Sequence, residues 1–185
     1  MSQVHKKETQ ILSMDSNDKN TEKFALAVKE IIHSSDYKKE DIVFLCIGSD
    51  RSVGDSLGPL IGTMLKEHKV PYQVYGTLES PVHAYNLQDT IKGINKRFKK
   101  KIIFGIDACL GEQNQVGHVF LGKGPLVPGK ALNRDLPQVG DYHILGIVNS
   151  LGPMPTTRFL NDTRLYTVMH LAKTIVNIIV RSADG

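Results

Sequence analysis

The chain has 185 residues, of which 41% are hydrophobic and 23% charged, and its formal net charge is +4. This length indicates one domain, which buries roughly 70% of the surface of its unfolded chain and so needs no disulfide or metal to hold a core. No apolar leader and no run of roughly 18 apolar residues is present, so we expect neither secretion by that route nor a membrane span. We expect Cys46 and Cys109, both in apolar runs, to be reduced cytoplasmic thiols.

The first half of the chain alternates between strand-like and helix-like patterns. Residues 1–20 are mostly polar and predict a flexible lead-in, followed by a single domain over residues 21–185. Apolar residues recur at helical spacing from Thr21. The apolar run Asp41–Ile47 predicts a buried strand, and a polar loop with glycines separates it from a helix that begins near Leu57.

The rest of the chain continues this alternation. The segment Val70–Thr77 predicts a less central strand, because Pro71 cannot donate a hydrogen bond to a neighbouring strand. Ser80 and Pro81 are typical of a helix start, with serine as the N-cap and proline at the first helical position. Three more segments predict strands, namely 101–108, 116–121 and 142–148. One apolar stripe over 165–179 predicts the last helix.

Strands that alternate with helices are typical of a mostly parallel sheet covered by helices on both faces. We therefore predict an α/β fold, a three-layer αβα sandwich with a mostly parallel, mixed central sheet.

Two aspartates follow the two strands that have the most buried character. Asp55 lies in the loop after the first strand, and Asp107 follows the run 101–106 directly. Ligands of such sheets bind beyond the carboxyl ends of the strands, so we expect both side chains to face one crevice. Two adjacent carboxyl groups share a proton and can act as general base and general acid. Asp55 can instead cap its helix, and the pair can instead hold a divalent cation.

Other polar residues near these strand ends are expected on the substrate side of the crevice. They are Ser49, Asp50, Arg51, Glu79 and His83. Arg51 is the one cation of its loop and can hold an anionic group, or it can be an exposed turn residue. His83 can contact substrate, join a metal site or be structural. The loop has neither pattern of a nucleotide-binding loop, so we expect no cofactor.

The densest basic run, 96–101, lies where a helix is expected to end. Cations there complement the negative end of the helix dipole. No recognised binding motif accompanies the run, so we expect no nucleic-acid partner.

Four segments resemble one family closely, the YyaC-type sporulation proteins of spore-forming bacteria. They are Cys46–Pro59, Gly76–Ala84, Ile106–Gly111 and Val139–Asn149. The resemblance extends from about residue 20 to the C-terminus. It implies a cytoplasmic protein of the sporulating cell or forespore.

That family is similar in turn to the spore germination proteases and the hydrogenase maturation proteases, which share a phosphorylase/hydrolase-like fold. The germination proteases carry Pro-Asp-Ala-Leu-Gly-Pro and Ile-Asp-Ala segments, which Gly54–Pro59 and Ile106–Ala108 resemble. The resemblance thus implies that Asp55 and Asp107 are catalytic. Gly54 replaces the proline, and the inserted segments of the germination proteases are missing. In the maturation proteases, acidic residues at comparable places bind the nickel of the substrate.

The resulting interpretation is a sporulation-associated peptidase, in which Asp55 and Asp107 activate water to hydrolyse a peptide bond. The expected partner is a protein or peptide substrate, including a spore protein, with no resident metal and no membrane. The alternative is a non-catalytic module that binds a spore protein or small ligand in a protease-like fold. The sequence leaves the oligomeric state and the substrate open.

Overall fold

The computed structural model describes residues 10–17, 21–33, 37–128, 136–150 and 162–183. Its centre is a six-stranded sheet. The strands are β1 (Gln10–Asp15), β2 (Ile42–Cys46), β3 (Gln73–Tyr75), β4 (Ile102–Gly111), β5 (His118–Lys123) and β6 (Tyr142–Ser150).

The strands lie in the order β1-β5-β6-β4-β2-β3. Neighbours from β6 to β3 run parallel, whereas β5 is antiparallel to both β1 and β6. The sheet is therefore mixed and mostly parallel, as predicted. The three-residue strand β3 lies at an edge of the sheet and begins two residues after Pro71, so the proline removes no hydrogen bond from the sheet.

Helices cover both faces of the sheet. They are α1 (Glu22–His33), α2 (Leu57–Glu67), α3 (Leu87–Arg97) and α4 (Leu165–Ala183). The apolar faces of α1, α2 and α4 pack in one core cluster with alternate sheet residues such as Phe44 and Phe104. Leu87 and Ile94 of α3 pack in a second cluster on the other face of the sheet. The sheet residues in this cluster, such as Val43, alternate along the strands with those of the first cluster. This arrangement confirms the three-layer αβα sandwich.

The prediction of a flexible lead-in over residues 1–20 is wrong for β1. Residues 10–15 pair with β5, and Leu12 and Met14 pack against the core while the residues between them are exposed. The polar composition of the segment hides this period-two pattern, because only one face of an edge strand is buried. Residues 1–9 and 18–20 lie outside the described residues.

The prediction that a helix begins at Ser80 and Pro81 is also wrong. Val82 instead forms a parallel bridge with Ile47, and α3 begins only at Leu87. The chain thus crosses the end of β2 before it becomes helical. None of the described helices combines the length and apolar character that a membrane crossing requires.

Candidate active site

The site is built where β2 ends between its neighbours. β2 pairs with β4 only as far as Cys46 and Ile106, whereas β6 pairs with β4 on to Gly111. Asp107 is the first residue of β4 that no longer pairs with β2. It lies within the strand rather than after it, because pairing with β6 carries β4 to Gly111, three residues beyond the predicted strand 101–108.

The loop after β2 brings Asp55 back towards this point. The Ser49 N–H donates to the Asp55 carbonyl oxygen at 3.0 Å, and the Asp55 N–H donates to the Ser52 carbonyl oxygen at 3.1 Å. Gly48 permits this closure because its φ is +144° and a Cβ atom there would collide with the Asp55 carbonyl. The turn ends in a short 3-10 helix, Val53–Asp55, that contacts β4.

Asp55 is partly buried and does not cap α2. The N-cap is Ser56, and among the described residues no hydrogen bond joins the Asp55 carboxyl group to the first amides of the helix. Burial raises the pKa of Asp55 to about 6, although a hydrogen bond from the Ser49 backbone acts in the opposite direction. At neutral pH this carboxyl group is mainly ionised.

Asp107 is more deeply buried, with only 7% of its surface exposed. Its Oδ1 accepts a hydrogen bond from the Ala108 N–H at 2.9 Å. Burial, followed by the negative charge of Asp55, raises the pKa of Asp107 to about 8. The repulsion falls on Asp107 because Asp55 ionises first and is already charged when Asp107 titrates.

The two pKa shifts divide the roles between the carboxyl groups. Between about pH 6 and 8, Asp55 is charged and can accept a proton, while Asp107 holds one and can donate it. This arrangement is the one that general acid–base catalysis needs near neutral pH.

Three of the residues predicted on the substrate side, Ser49, Asp50 and Arg51, lie in the loop between β2 and Asp55. Ser49 is partly buried, and its Oγ accepts a hydrogen bond from the Arg51 N–H at 3.3 Å. Asp50 and Arg51 are exposed at the loop tip. All three share one loop with Asp55, and their contact with substrate stays a prediction.

The two predicted residues from the β3–α3 connection differ in position. His83 is partly buried and follows Val82, whose carbonyl oxygen accepts the Gly48 N–H at 2.8 Å, so His83 lies beside the β2 loop. Its Nδ1 accepts a hydrogen bond from the Tyr85 N–H at 3.3 Å. Glu79 is exposed in the turn after β3. Their roles in substrate binding also stay predictions.

The buried cysteines and the metal hypothesis complete the chemistry of the site. Burial raises the pKa of Cys46 and Cys109, and the charge of Asp107 adds to the shift of Cys109, so both stay protonated thiols. In the part of the chain that the structure describes, no group of three or more His, Cys, Asp or Glu residues has an arrangement that could hold a metal ion. A cation here would rely on the two carboxylates.

Sequence patterns missed two residues that shape this region. Thr63 accepts a hydrogen bond from the Leu78 N–H at 2.9 Å and so ties the turn after β3 to α2. The Ser52 hydroxyl is buried three residues before Asp55 without a hydrogen-bond partner among the described residues. The Thr63 contact joins segments 15 residues apart, and the burial of Ser52 depends on the folded loop, so periodicity gave no signal for either residue.

Three comparisons with known proteins bear on this chain. The uncharacterized protein YyaC of Bacillus subtilis (strain 168) is 48% identical over 157 residues, which cover 82% of this chain and 76% of YyaC. The crystal structure of a NiFe hydrogenase maturation protease, HycI from Thermococcus kodakarensis KOD1, is similar with a TM-score of 0.44 and 19% identity, covering 83% of this chain and 98% of HycI. Residues 13–178 match the family described as a protein of unknown function, DUF1256. The chain therefore belongs to the DUF1256 family.

Proposed function

We propose that this protein is a peptidase that uses Asp55 and Asp107 to activate water. The observation that carries the proposal is a partly buried and a buried carboxyl group within electrostatic reach of each other, with the pKa of Asp55 raised to about 6 and that of Asp107 to about 8. A buried carboxyl group destabilises a fold unless it has a compensating role, and such groups cluster at active sites.

The reaction follows from these protonation states. The Asp55 carboxylate takes a proton from water as the water oxygen bonds to the carbonyl carbon of the peptide. Asp107 donates its proton towards the leaving nitrogen, and the C–N bond breaks to give a carboxylic acid and an amine. Return of the proton from Asp55 to Asp107 restores the pair for the next turnover.

We further propose that the reaction takes place in the cytoplasm of a sporulating cell or forespore, on a protein or peptide that includes spore proteins. The motifs shared with sporulation proteins support this setting. Both cysteines are free and buried, which suits a reducing compartment.

The test is hydrolysis of a mixture of fluorescence-quenched peptides by the wild type and by Asp55→Asn and Asp107→Asn variants. We expect each substitution to lower the rate at least about a hundredfold, because general acid–base catalysis contributes on that scale. The control is Asp89→Asn, which removes an exposed carboxylate on α3 that pairs with Lys92. Circular dichroism verifies that each variant is folded.

Unchanged hydrolysis in both site variants would overturn the proposal. A protein that binds peptides but never cleaves them would instead be the non-catalytic binding module. Calorimetric titration with nickel, zinc and manganese tests the alternative of a metal site, and heat that disappears in both site variants would support that alternative.

A further inference from the structure

A pocket of about 490 Å³ lies across β3, with the end of α2 and both ends of α3 among its lining. Its lining does not include Asp55 or Asp107. This volume lies within the usual range for ligand sites. The pocket is therefore a second feature of the molecule, next to the aspartate pair rather than on it.

One end of the pocket is cationic. Lys66, Lys69 and Arg97 line it from the last turn of α2, the turn that follows and the last residue of α3. Among the residues that the structure describes, no acidic side chain lines the pocket. The ion pairs within the described ranges, Lys38–Glu40 and Lys92–Asp89, involve none of these three cations. Arg97 does lie over the Phe98 ring, with its Cζ 5.1 Å from the ring centroid, and its guanidinium N–H groups can still donate to an anion. The three charges thus form a cationic end that suits an anionic ligand.

Lys69 occupies a backbone position that usually favours glycine. It follows the end of α2 with a φ of +52°, and the Val70 N–H closes the helix end on the Leu65 carbonyl oxygen at 3.3 Å. Glycine is the common residue here because a side chain strains this conformation. The helix end gives no reason for a lysine, whereas the pocket gives its charge a place.

The other end of the pocket is neutral and polar, and it leads to the aspartate pair. Thr77, Ser80 and Asn86 line it with groups that form hydrogen bonds. Val82, also in the lining, receives the Gly48 N–H at 2.8 Å. Gly48 begins the loop that carries Asp55. The pocket therefore runs from the cations at the start of β3 towards the site at the end of β2.

The floor of the pocket is an edge strand. β3 pairs with β2 on one side, and the strand order places no described strand on the other. An edge strand presents unpaired N–H and C=O groups to which an extended peptide can add as a further strand. From Gln73 to Thr77 the chain advances roughly 13 Å at about 3.3 Å per residue. An added peptide would thus span the pocket with roughly four to six residues.

We propose that this pocket binds an acidic, extended segment of the peptide substrate along the free edge of β3. Acidic side chains of that segment contact Lys66, Lys69 and Arg97, and the bond to be cleaved lies beyond the neutral end. The inference rests on the proposed peptidase function and adds a substrate class, namely peptides with acidic residues several positions from the cleaved bond.

The test separates binding from catalysis by the use of the Asp107→Asn protein. Fluorescence anisotropy measures its affinity for a fluorescein-labelled peptide of alternating glutamate and valine. We expect saturable binding that weakens as salt is added and at least about tenfold in a Lys66→Gln/Arg97→Gln double variant. Lys69→Gly is expected to weaken binding with an unchanged or higher melting temperature, since glycine relieves the strain at this position.

Lys173→Gln removes an exposed cation on α4, away from the pocket, and is expected to leave the affinity unchanged. The inference is overturned if a peptide of alternating glutamine and valine binds equally well, if the pocket variants keep full affinity, or if free glutamate competes as strongly as the peptide. Binding of the acidic peptide by a wild type that hydrolyses no peptide would support the pocket and contradict the peptidase function. The two failures are therefore distinguishable.

Discussion

Asp107 is a residue that the fold accommodates at the expense of stability. Its pKa is raised to about 8 in the folded protein, above the usual value near 4 of an unfolded chain. The folded state therefore binds its proton more tightly, and stability is lost as the pH rises from about 4 through 8. A carboxyl group selected only for stability would not be buried in this way.

An Asp107→Asn variant is accordingly expected to be more stable than the wild type at alkaline pH. Asparagine keeps an acceptor for the Ala108 N–H but does not ionise. We expect a gain of roughly 2 to 5 kcal/mol near pH 8 and little difference below about pH 4. Thermal unfolding over this pH range measures the effect, and Asp89→Asn is the control. A stability difference between wild type and Asp107→Asn that does not change with pH would contradict the assigned burial of the charge.

The pH dependence of hydrolysis is a second prediction at this scale. Activity should rise as Asp55 loses its proton near pH 6 and fall as Asp107 loses its proton near pH 8, which gives a bell-shaped profile. The rate at saturating peptide, measured across this range, checks both limbs. A profile that is flat between about pH 5 and 9 would contradict the assignment of base and acid.

The catalytic role of these two aspartates stays a prediction. The sequence singled them out because each is a carboxyl group that follows an apolar run. It could not identify Lys66, Lys69 and Arg97 as one group, since they come from the ends of two helices and meet only after the chain folds over β3. Separation along the chain hides such clusters from any pattern with a short period.

Among the elements, the loop from Gly48 to Asp55 decides where the charged carboxyl group lies. A Gly48→Ala substitution would press a methyl group on the Asp55 carbonyl and strain a positive φ. We expect it to lower the free energy of unfolding by about 2 kcal/mol or more and to reduce hydrolysis. Urea denaturation and the peptide assay measure the two effects.

Gly93 provides the matched control for this substitution. It lies in α3, and a Cβ atom there would meet no atom within 4 Å. Gly93→Ala should therefore stabilise the protein by up to about 1 kcal/mol without a change in hydrolysis. Equal effects of the two substitutions on stability and hydrolysis would contradict the close approach of Gly48 to the Asp55 carbonyl.

The sequence predicted most helices and strands from their apolar spacing but misplaced the start of α3. Ser80 and Pro81 form a good local helix start, yet the bridge between Val82 and Ile47 keeps the chain extended over the end of β2. Tertiary pairing overrides local preference here, and the pairing partner is 35 residues away along the chain.

For the whole molecule, β1 extends the sheet at the edge opposite β3. Met14 packs against the core formed by α1, α2 and α4, whereas Ser13 on the other face of β1 is exposed. Met14→Asp should therefore cost about 1 to 3 kcal/mol of stability, and Ser13→Asp less than about 0.5 kcal/mol. Thermal or urea unfolding compares the two variants. Equal small effects would indicate that β1 contributes nothing to the fold.

This strand was missed because its partner β5 lies about a hundred residues away and half of its side chains face outward. The three-layer architecture was predictable because it depends on repeated alternation over most of the chain, which single errors do not disturb. The edge strand β1 was harder to predict, since its composition is set by exposure as much as by the core.

The most direct test of the central claim is a carbon-13 NMR titration of the carboxyl groups in protein labelled at aspartate. Spectra of Asp55→Asn and Asp107→Asn assign the two signals. We predict that Asp55 titrates near pH 6, that Asp107 titrates near pH 8, and that Asp55→Asn lowers the pKa of Asp107 because it removes the neighbouring charge. Two independent titrations near pH 4, the usual range for aspartate, would contradict the proposed acid–base pair.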